Sequence, residues 1–167
     1  MDMDISQACI DLIKQFEGLA YVNPKDGMVY PYKDPIGLPT IGYGSRIDMN
    51  GNPVTMATPP MTQDDAVELL HDVLEQFIDA VNSLVMVNVT QNQFNALVDF
   101  CYNAGAANLK SSTLLQMINA GNFAGAAQQF IRWNKARDRK TGQLVVLPGL
   151  TRRRNAEAQL FMTPDNQ

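Results

Sequence analysis

Two carboxylates and a hydroxyl stand near the start of this chain where acid/base chemistry could use them: Glu17, Asp34 and Thr40. Glu17 follows Phe16 at the close of an apolar helical pattern and precedes Gly18, which stops a helix. At that C-terminal end the helix dipole disfavours a negative charge, and an apolar neighbourhood acts in the same direction, so the place suits a proton donor. Asp34 falls in the turn-forming run Tyr32-Lys33-Asp34-Pro35-Ile36-Gly37, where an exposed carboxylate stays ionised. Thr40 follows on a short strand-like run. One carboxyl that gives a proton and another that takes one are the minimum equipment for acid-catalysed cleavage of a glycosidic bond. By type and spacing alone, the same residues also fit a solvated helix end and an ordinary turn former.

The elements that must position these groups can be read in chain order. Residues 4–16 place Ile5, Cys9, Leu12, Ile13 and Phe16 on one helical face, with Asp4 and Gln7 spaced to cap the start. Residues 19–60 are rich in proline and glycine, with β-prone runs at Val29-Tyr30, Thr40-Ile41 and Tyr43 and hairpin signals at Asp26-Gly27 and Asn50-Gly51. They predict a small twisted antiparallel sheet that cannot stand alone and must pack on helices. Thr62 caps a long helix that keeps apolar spacing from Leu69 through Leu84. Thr90 and Gln93 form a second capping box, Gly105 ends that helix, and Ser111 or Ser112 caps the next. Asn122 opens a helix through Trp133, residues 138–149 read as a loop with a Thr-Gly turn, and a last helix covers roughly Leu150–Met162. The chain reads as one α+β domain over 1–167: a helix and sheet lobe to about residue 60, a connecting helix over 61–84, and a helical lobe over 85–167.

Composition narrows the classes. The formal charge of −4 argues against a general nucleic-acid binder. No apolar run approaches the length of a membrane helix, and Met1-Asp2-Met3-Asp4 lacks the basic start of a signal peptide. Cys9 and Cys101 lie on apolar helix faces and read as buried free thiols. His71 reads as exposed, and one histidine with two separated cysteines makes no zinc pattern, so no metal or organic cofactor is expected.

The motifs carry a resemblance. Phe16-Glu17-Gly18 followed by Tyr32-Lys33-Asp34-Pro35-Ile36-Gly37-Leu38-Pro39-Thr40-Ile41-Gly42-Tyr43-Gly44 resembles the active-site signature of the phage-type lysozymes, the endolysins of glycoside hydrolase family 24. Further along, the runs 93–105, 111–115, 130–136 and 147–154 resemble that family's helical lobe. The resemblance implies a lysozyme-like fold of two lobes and a catalytic triad of Glu17, Asp34 and Thr40. It implies a muramidase that hydrolyses the bond between N-acetylmuramic acid and N-acetylglucosamine with inversion. Saccharide contacts would come from Gly44, Tyr102, Asn103 and Ser112, and an arginine among Arg152, Arg153 and Arg154 would approach the acid. Taken without the family, those three arginines read as a solvated helix face. Trp133, spaced from Phe130 as on one helix face, reads as core.

The family implies a monomer acting on peptidoglycan glycan strands, held in the host cytoplasm and released when a separate holin opens the membrane. One departure matters. The gap between Glu17 and Asp34 is longer than the family's, and Asp26 stands at the shorter spacing. Asp34 is chosen because the flanking motif surrounds it, and Asn23–Tyr30 reads as an inserted hairpin that gates the cleft. Two other readings stay open: a catalytically inactive relative that binds peptidoglycan or a protein, and a lytic transglycosylase, which uses one acid and no water.

Overall fold

The first helix, α1 (Gln7–Glu17), turns Cys9, Ile10, Leu12 and Ile13 inward. It starts later than the sequence pattern suggests. The expected Asp4 cap does not form: among the described residues its carboxylate accepts only from the adjacent Ile5 amide, and Ser6, just before the helix, has its amide and hydroxyl tied to the Asn95 side chain. At the other end Gly18 takes φ +63° and returns its amide to Lys14 O, a left-handed stop that glycine adopts without steric cost. The molecule, a computed structural model describing residues 2–19 and 21–166, divides into two compact units, residues 13–75 and residues 1–12 with 76–167. Met1, Ala20 and Gln167, which the expected domain span includes, lie outside the described residues. Both α1 and the long α2 (Gln63–Leu84) contribute residues to each unit.

In the unit of residues 13–75, regular strand is scarcer than the sequence suggests. It consists of one antiparallel pair, β1 (Tyr32–Lys33) with β2 (Pro39–Thr40), in the register Tyr32↔Thr40 and Lys33↔Pro39. Turns supply the rest. Val29 is the centre of a small ladder, bridging Val22 on one side and Met61 on the other. The expected hairpin over 23–30 is present: the Asn23 amide donates to Met28 O at 2.9 Å and the Gly27 amide to Asn23 O at 2.8 Å. Ile13, Val29, Ile41, Val54, Met61, Ala66, Leu69, Leu70 and Leu74 are buried, so the helical faces supply the apolar support that so small a sheet needs. Thr62 caps α2 as expected, its hydroxyl accepting from the Asp65 amide at 3.0 Å.

The other unit is built on α3 (Gln91–Ala104), whose residues Gln93 to Cys101 are all buried. Thr90 and Gln93 close the predicted capping box at its start. Around it lie α5 (Thr113–Asn119), α6 (Phe123–Gln129), a 3-10 turn (Phe130–Trp133) and α7 (Pro148–Met162). The short α4 (Ala106–Ser111) was not legible, because a single buried residue, Leu109, gives no period. An unexpected antiparallel pair joins β3 (Lys135–Arg137), just before the loop predicted over 138–149, to β4 (Leu144–Val146) within it. Phe100, Phe130, Phe161 and Trp133 meet edge-on or tilted with centroids 5.5–5.7 Å apart, the favoured aromatic geometry. Cys9 and Cys101 are buried free thiols as expected, and burial pushes Cys101 up to about 11.

The triple arginine is not a solvated face. Arg152 is exposed, but Arg153 and Arg154 are 4% and 1% exposed. Arg153 forks onto Asp99 at 2.8 and 3.1 Å. Arg154 Nη2 donates to Glu157 Oε1 at 2.9 Å and to Asn103 Oδ1 at 2.6 Å. The ring of Phe100 lies 4.9 Å from the Arg154 guanidinium. Burial, then a hydrogen bond with Asp99, raises the Glu157 carboxyl well above its ordinary value.

Candidate active site

Glu17, Asp34 and Thr40 all belong to the unit of residues 13–75. Their framework is the β1–β2 hairpin. Tyr32 faces Thr40 across the strand pair, and the hairpin continues one step further, with the Asp34 amide donating to Leu38 O at 2.9 Å. Directly opposed residues share a face, so Tyr32 and Thr40 lie on one side of the strand pair, and Asp34 opens the turn that joins the strands. The Glu17 charge is felt at Tyr32. The phenol is pushed up first by its own burial and then by the negative charges of Glu17 and Asp34, so both carboxylates act on the same ring. Tyr32 was quoted in the sequence motif but not singled out. Its cross-strand position opposite Thr40 is the signal that would have found it.

Asp34 is held firmly. Its Oδ1 accepts from the Ile36 and Leu38 amides, each at 2.9 Å, and its Oδ2 accepts from Arg46 Nη2 at 2.9 Å. The Leu38 amide, then the Ile36 amide and the Arg46 charge, keep its carboxyl below the ordinary carboxylate range, against the part of its burial that opposes them. A carboxylate so placed is ionised at neutral pH. Thr40 is 3% exposed, and its hydroxyl donates to Leu38 O at 3.0 Å. With its hydrogen spent, the oxygen can only accept, as a bound water would require.

Asp26, the rival second carboxylate, serves its own hairpin. One oxygen accepts from the Met28 amide at 2.9 Å and the other from the Tyr30 hydroxyl at 2.7 Å. The Tyr30 hydroxyl is the larger cause of its lowered pKa, followed by the Met28 amide.

The expected saccharide contacts divide by unit. Gly44 lies in the Ile41–Ser45 turn at φ +90°, a conformation that side chains rarely adopt. Tyr102, Asn103 and Ser112 belong to the other unit. The Tyr102 ring stands edge-on to Phe77 at 5.5 Å. Asn103 is exposed, and its carbonyl supports Arg154. Ser112 is buried and caps α5: its hydroxyl donates to Leu109 O at 2.7 Å and accepts from the Leu115 amide at 3.0 Å. It also lines an open depression of about 260 Å³ with Ser111, Thr113, Gln129, Arg132 and Trp133. Trp133 therefore packs on Phe100 and borders this depression at once, and Gln129 and Arg132 are polar lining that the sequence pattern did not single out. Among the described residues, no group of three His, Cys, Asp or Glu is placed to hold a metal ion, and no helix is long and apolar enough to cross a membrane.

The chain as a whole is similar to phage endolysins. It is 42% identical to an endolysin of Bacillus phage B103 over 99% of its own length and 56% of that protein's. It thus spans little more than half of that relative. An endolysin of Acyrthosiphon pisum secondary endosymbiont phage 1 is 34% identical over 95% of this chain and 98% of its own length. Among solved structures, an endolysin from Escherichia coli O157:H7 phage FAHEc1 superposes with a TM-score of 0.86 at 38% identity, covering 97% of this chain and 95% of that one. The α+β lysozyme-like fold expected from the sequence is the fold found. The phage lysozyme family profile matches residues 14–157, and this chain belongs to that family.

Proposed function

We propose that the protein is an endolysin-type muramidase that hydrolyses the glycosidic bond between N-acetylmuramic acid and N-acetylglucosamine in peptidoglycan. The observation that supports this reading is the hairpin that carries Asp34 and Thr40 together: Asp34 is held by the Ile36 and Leu38 amides and by Arg46, and Thr40 pairs with Tyr32 across the strands. Glu17 protonates the glycosidic oxygen as the bond breaks. Asp34 takes a proton from a water whose oxygen bonds to the anomeric carbon, so the leaving sugar gains a hydroxyl and the new hemiacetal carries the water oxygen. Glu17 ends deprotonated and Asp34 protonated, and exchange with solvent restores both.

Both groups that meet the water are hydrogen-bond acceptors. Asp34 and Thr40 can each take one of its hydrogens, which leaves its lone pairs for the sugar. Attack from the face opposite the acid gives inversion. Gly44, Tyr102, Asn103 and Ser112 contribute to saccharide binding, with Ser112 acting through the shape of the depression it lines. The enzyme works as a monomer on glycan strands and reaches them from the host cytoplasm after a holin opens the membrane, a part of the proposal that rests on the family.

Clearing of outer-membrane-permeabilised Gram-negative cells by the wild type beside Glu17→Gln tests it. Turbidity should fall with the wild type and not with a folded E17Q variant. Clearing by both would remove Glu17 from the acid's role, and clearing by neither would leave a binding module.

A further inference from the structure

Asp34 sits in a loop that the chain builds more than once. In the first copy the Asp34 amide bonds Leu38 O, the Gly37 amide bonds Asp34 O, and Asp34 Oδ1 accepts from residues two and four further on. Asp48 repeats the arrangement with Asn52, Gly51 and Asn50, in matching order and at 2.8–3.0 Å. Asp138 and Asn23 make longer versions, in which the side-chain oxygen again accepts the amide two residues on and a glycine amide bonds the backbone carbonyl. The turn therefore needs neither a charge, since Asn23 serves, nor anything on the second oxygen. Among the described residues only Asp34 has a cation there: Arg46 Nη2 at 2.9 Å from Oδ2. Arg46 is thus superfluous to the loop.

We propose that Arg46 is a positioning residue for the reaction, holding Asp34 Oδ2 so that one defined lone pair of the carboxylate faces the attacking water. This rests on Asp34 being the base. The carboxylate has about four acceptor directions, and the Ile36 and Leu38 amides and Arg46 take three of them. The direction left on Oδ2 is the one that can receive the proton. A fork-shaped guanidinium fixes a carboxylate's plane in a way that a flexible ammonium does not.

The second consequence is electrostatic. The charged groups about Asp34 are Arg46 from the segment after β2, Tyr32 and the exposed Lys33 from β1, and Glu17 from α1 acting on Tyr32. Arg46 favours the ionised carboxylate; Glu17 and an ionised Tyr32 would oppose it. Activity requires Asp34 ionised and is lost as pH falls through its pKa. Removing the Arg46 charge raises that pKa and moves the acidic limb upward.

The test compares wild type, R46Q and R46K on purified peptidoglycan, with kcat and KM measured across the acidic and neutral range at low and high salt. In R46Q the acidic limb should move up by about half a unit to one unit, the lower end of the effect of a neighbouring cation, because this arginine is largely exposed. At the plateau kcat should fall severalfold with KM little changed. R46K should restore the limb, which needs only the charge, but not the plateau, which needs the fork. Salt should move the wild-type limb upward and leave that of R46Q in place. A wild-type profile that salt does not move, together with R46Q or R46K profiles that superimpose on it, overturns the inference; so does a loss confined to KM. Asp34→Asn separates the two failures. If D34N keeps activity, the base assignment itself falls. If D34N is dead and R46Q is unchanged, only the role of Arg46 falls. A thermal melt accompanies each variant, and should R46Q not fold, R46K and the salt dependence of the wild type decide.

Discussion

Exchanging each candidate second carboxylate for its amide discriminates between them, because the structure supplies an internal control for both. In D34N the amide oxygen can accept from the Ile36 and Leu38 amides as Oδ1 does now, and Asn23 shows an asparagine doing the equivalent work in the 23–28 turn. What D34N loses is one ion pair to an arginine whose side chain is 55% exposed, and such pairs contribute little. The melting temperature should therefore stay within about 4 °C of wild type. Activity should fall by about 10²- to 10⁴-fold, the usual contribution of a general base. D26N exchanges a charged acceptor for a neutral one at the Tyr30 hydroxyl and the Met28 amide, both within the hairpin. It should clear cells at the wild-type rate. The assay is turbidity loss alongside a melt for each variant. If D26N is the inactive protein and D34N the active one, the alignment across residues 23–30 is wrong and the base lies in the inserted hairpin.

Other consequences are smaller in scope. Asp99→Ala would leave the Arg153 guanidinium buried without its forked partner, a loss of about 3–5 kcal/mol by analogy with broken buried pairs; denaturant melts should show it, and a change under about 1 kcal/mol would refute the pairing's importance. Ser112→Ala removes an N-cap at a cost of about 1 kcal/mol. Because both hydrogen-bonding directions of that hydroxyl are used by the fold, KM for glycan should not move beyond what the weaker helix causes. A separate, large rise in KM would mean that the hydroxyl itself meets the sugar. Cys9 and Cys101 should resist thiol reagents in the native protein and react stoichiometrically once it is unfolded, since burial raises both thiols above their ordinary values. Rapid native labelling of either would contradict the burial.

Legibility followed how local each determinant is. The capping box of Thr90 with Gln93, the stop at Gly18 and the Asp26-Gly27 hairpin are set by residues within a few positions of one another, and each formed as its sequence suggested. The β3–β4 pair was missed because Lys135-Ala136-Arg137 and Leu144-Val145-Val146 alternate exposure over only three residues each, too short for a period to declare itself. Arg153 and Arg154 misled for the opposite reason. Their burial is decided by Asp99 and Asn103, about 50 positions away, and nothing local marks an arginine as one that will be paired inside. Within the candidate site, Glu17, Asp34 and Thr40 were proposed from residue types and motif alone. Tyr32 and Arg46 needed the strand register and the turn, which bring positions 32, 34, 40 and 46 into one neighbourhood.

Thr40 separates hydrolysis from the rival chemistry in which an acid cleaves the bond without water. Transglycosylation closes the sugar on its own hydroxyl and has no place for a water-holding acceptor. In this chain the Thr40 hydrogen is committed to Leu38 O, and the side chain is buried at the end of the strand pair, so its remaining capacity is to accept. Thr40→Val keeps the shape of the residue and removes that capacity. If water is the nucleophile, the wild type should release reducing sugar ends, and T40V should slow that release by about 10-fold or more, the effect of losing a buried, oriented hydrogen bond at a reacting water. Thr40→Ser, which restores the hydroxyl, should recover most of the rate. Anhydro-sugar products from the wild type, or a T40V variant with full activity and reducing products, would show that the water is held by something other than Thr40 or that none is used.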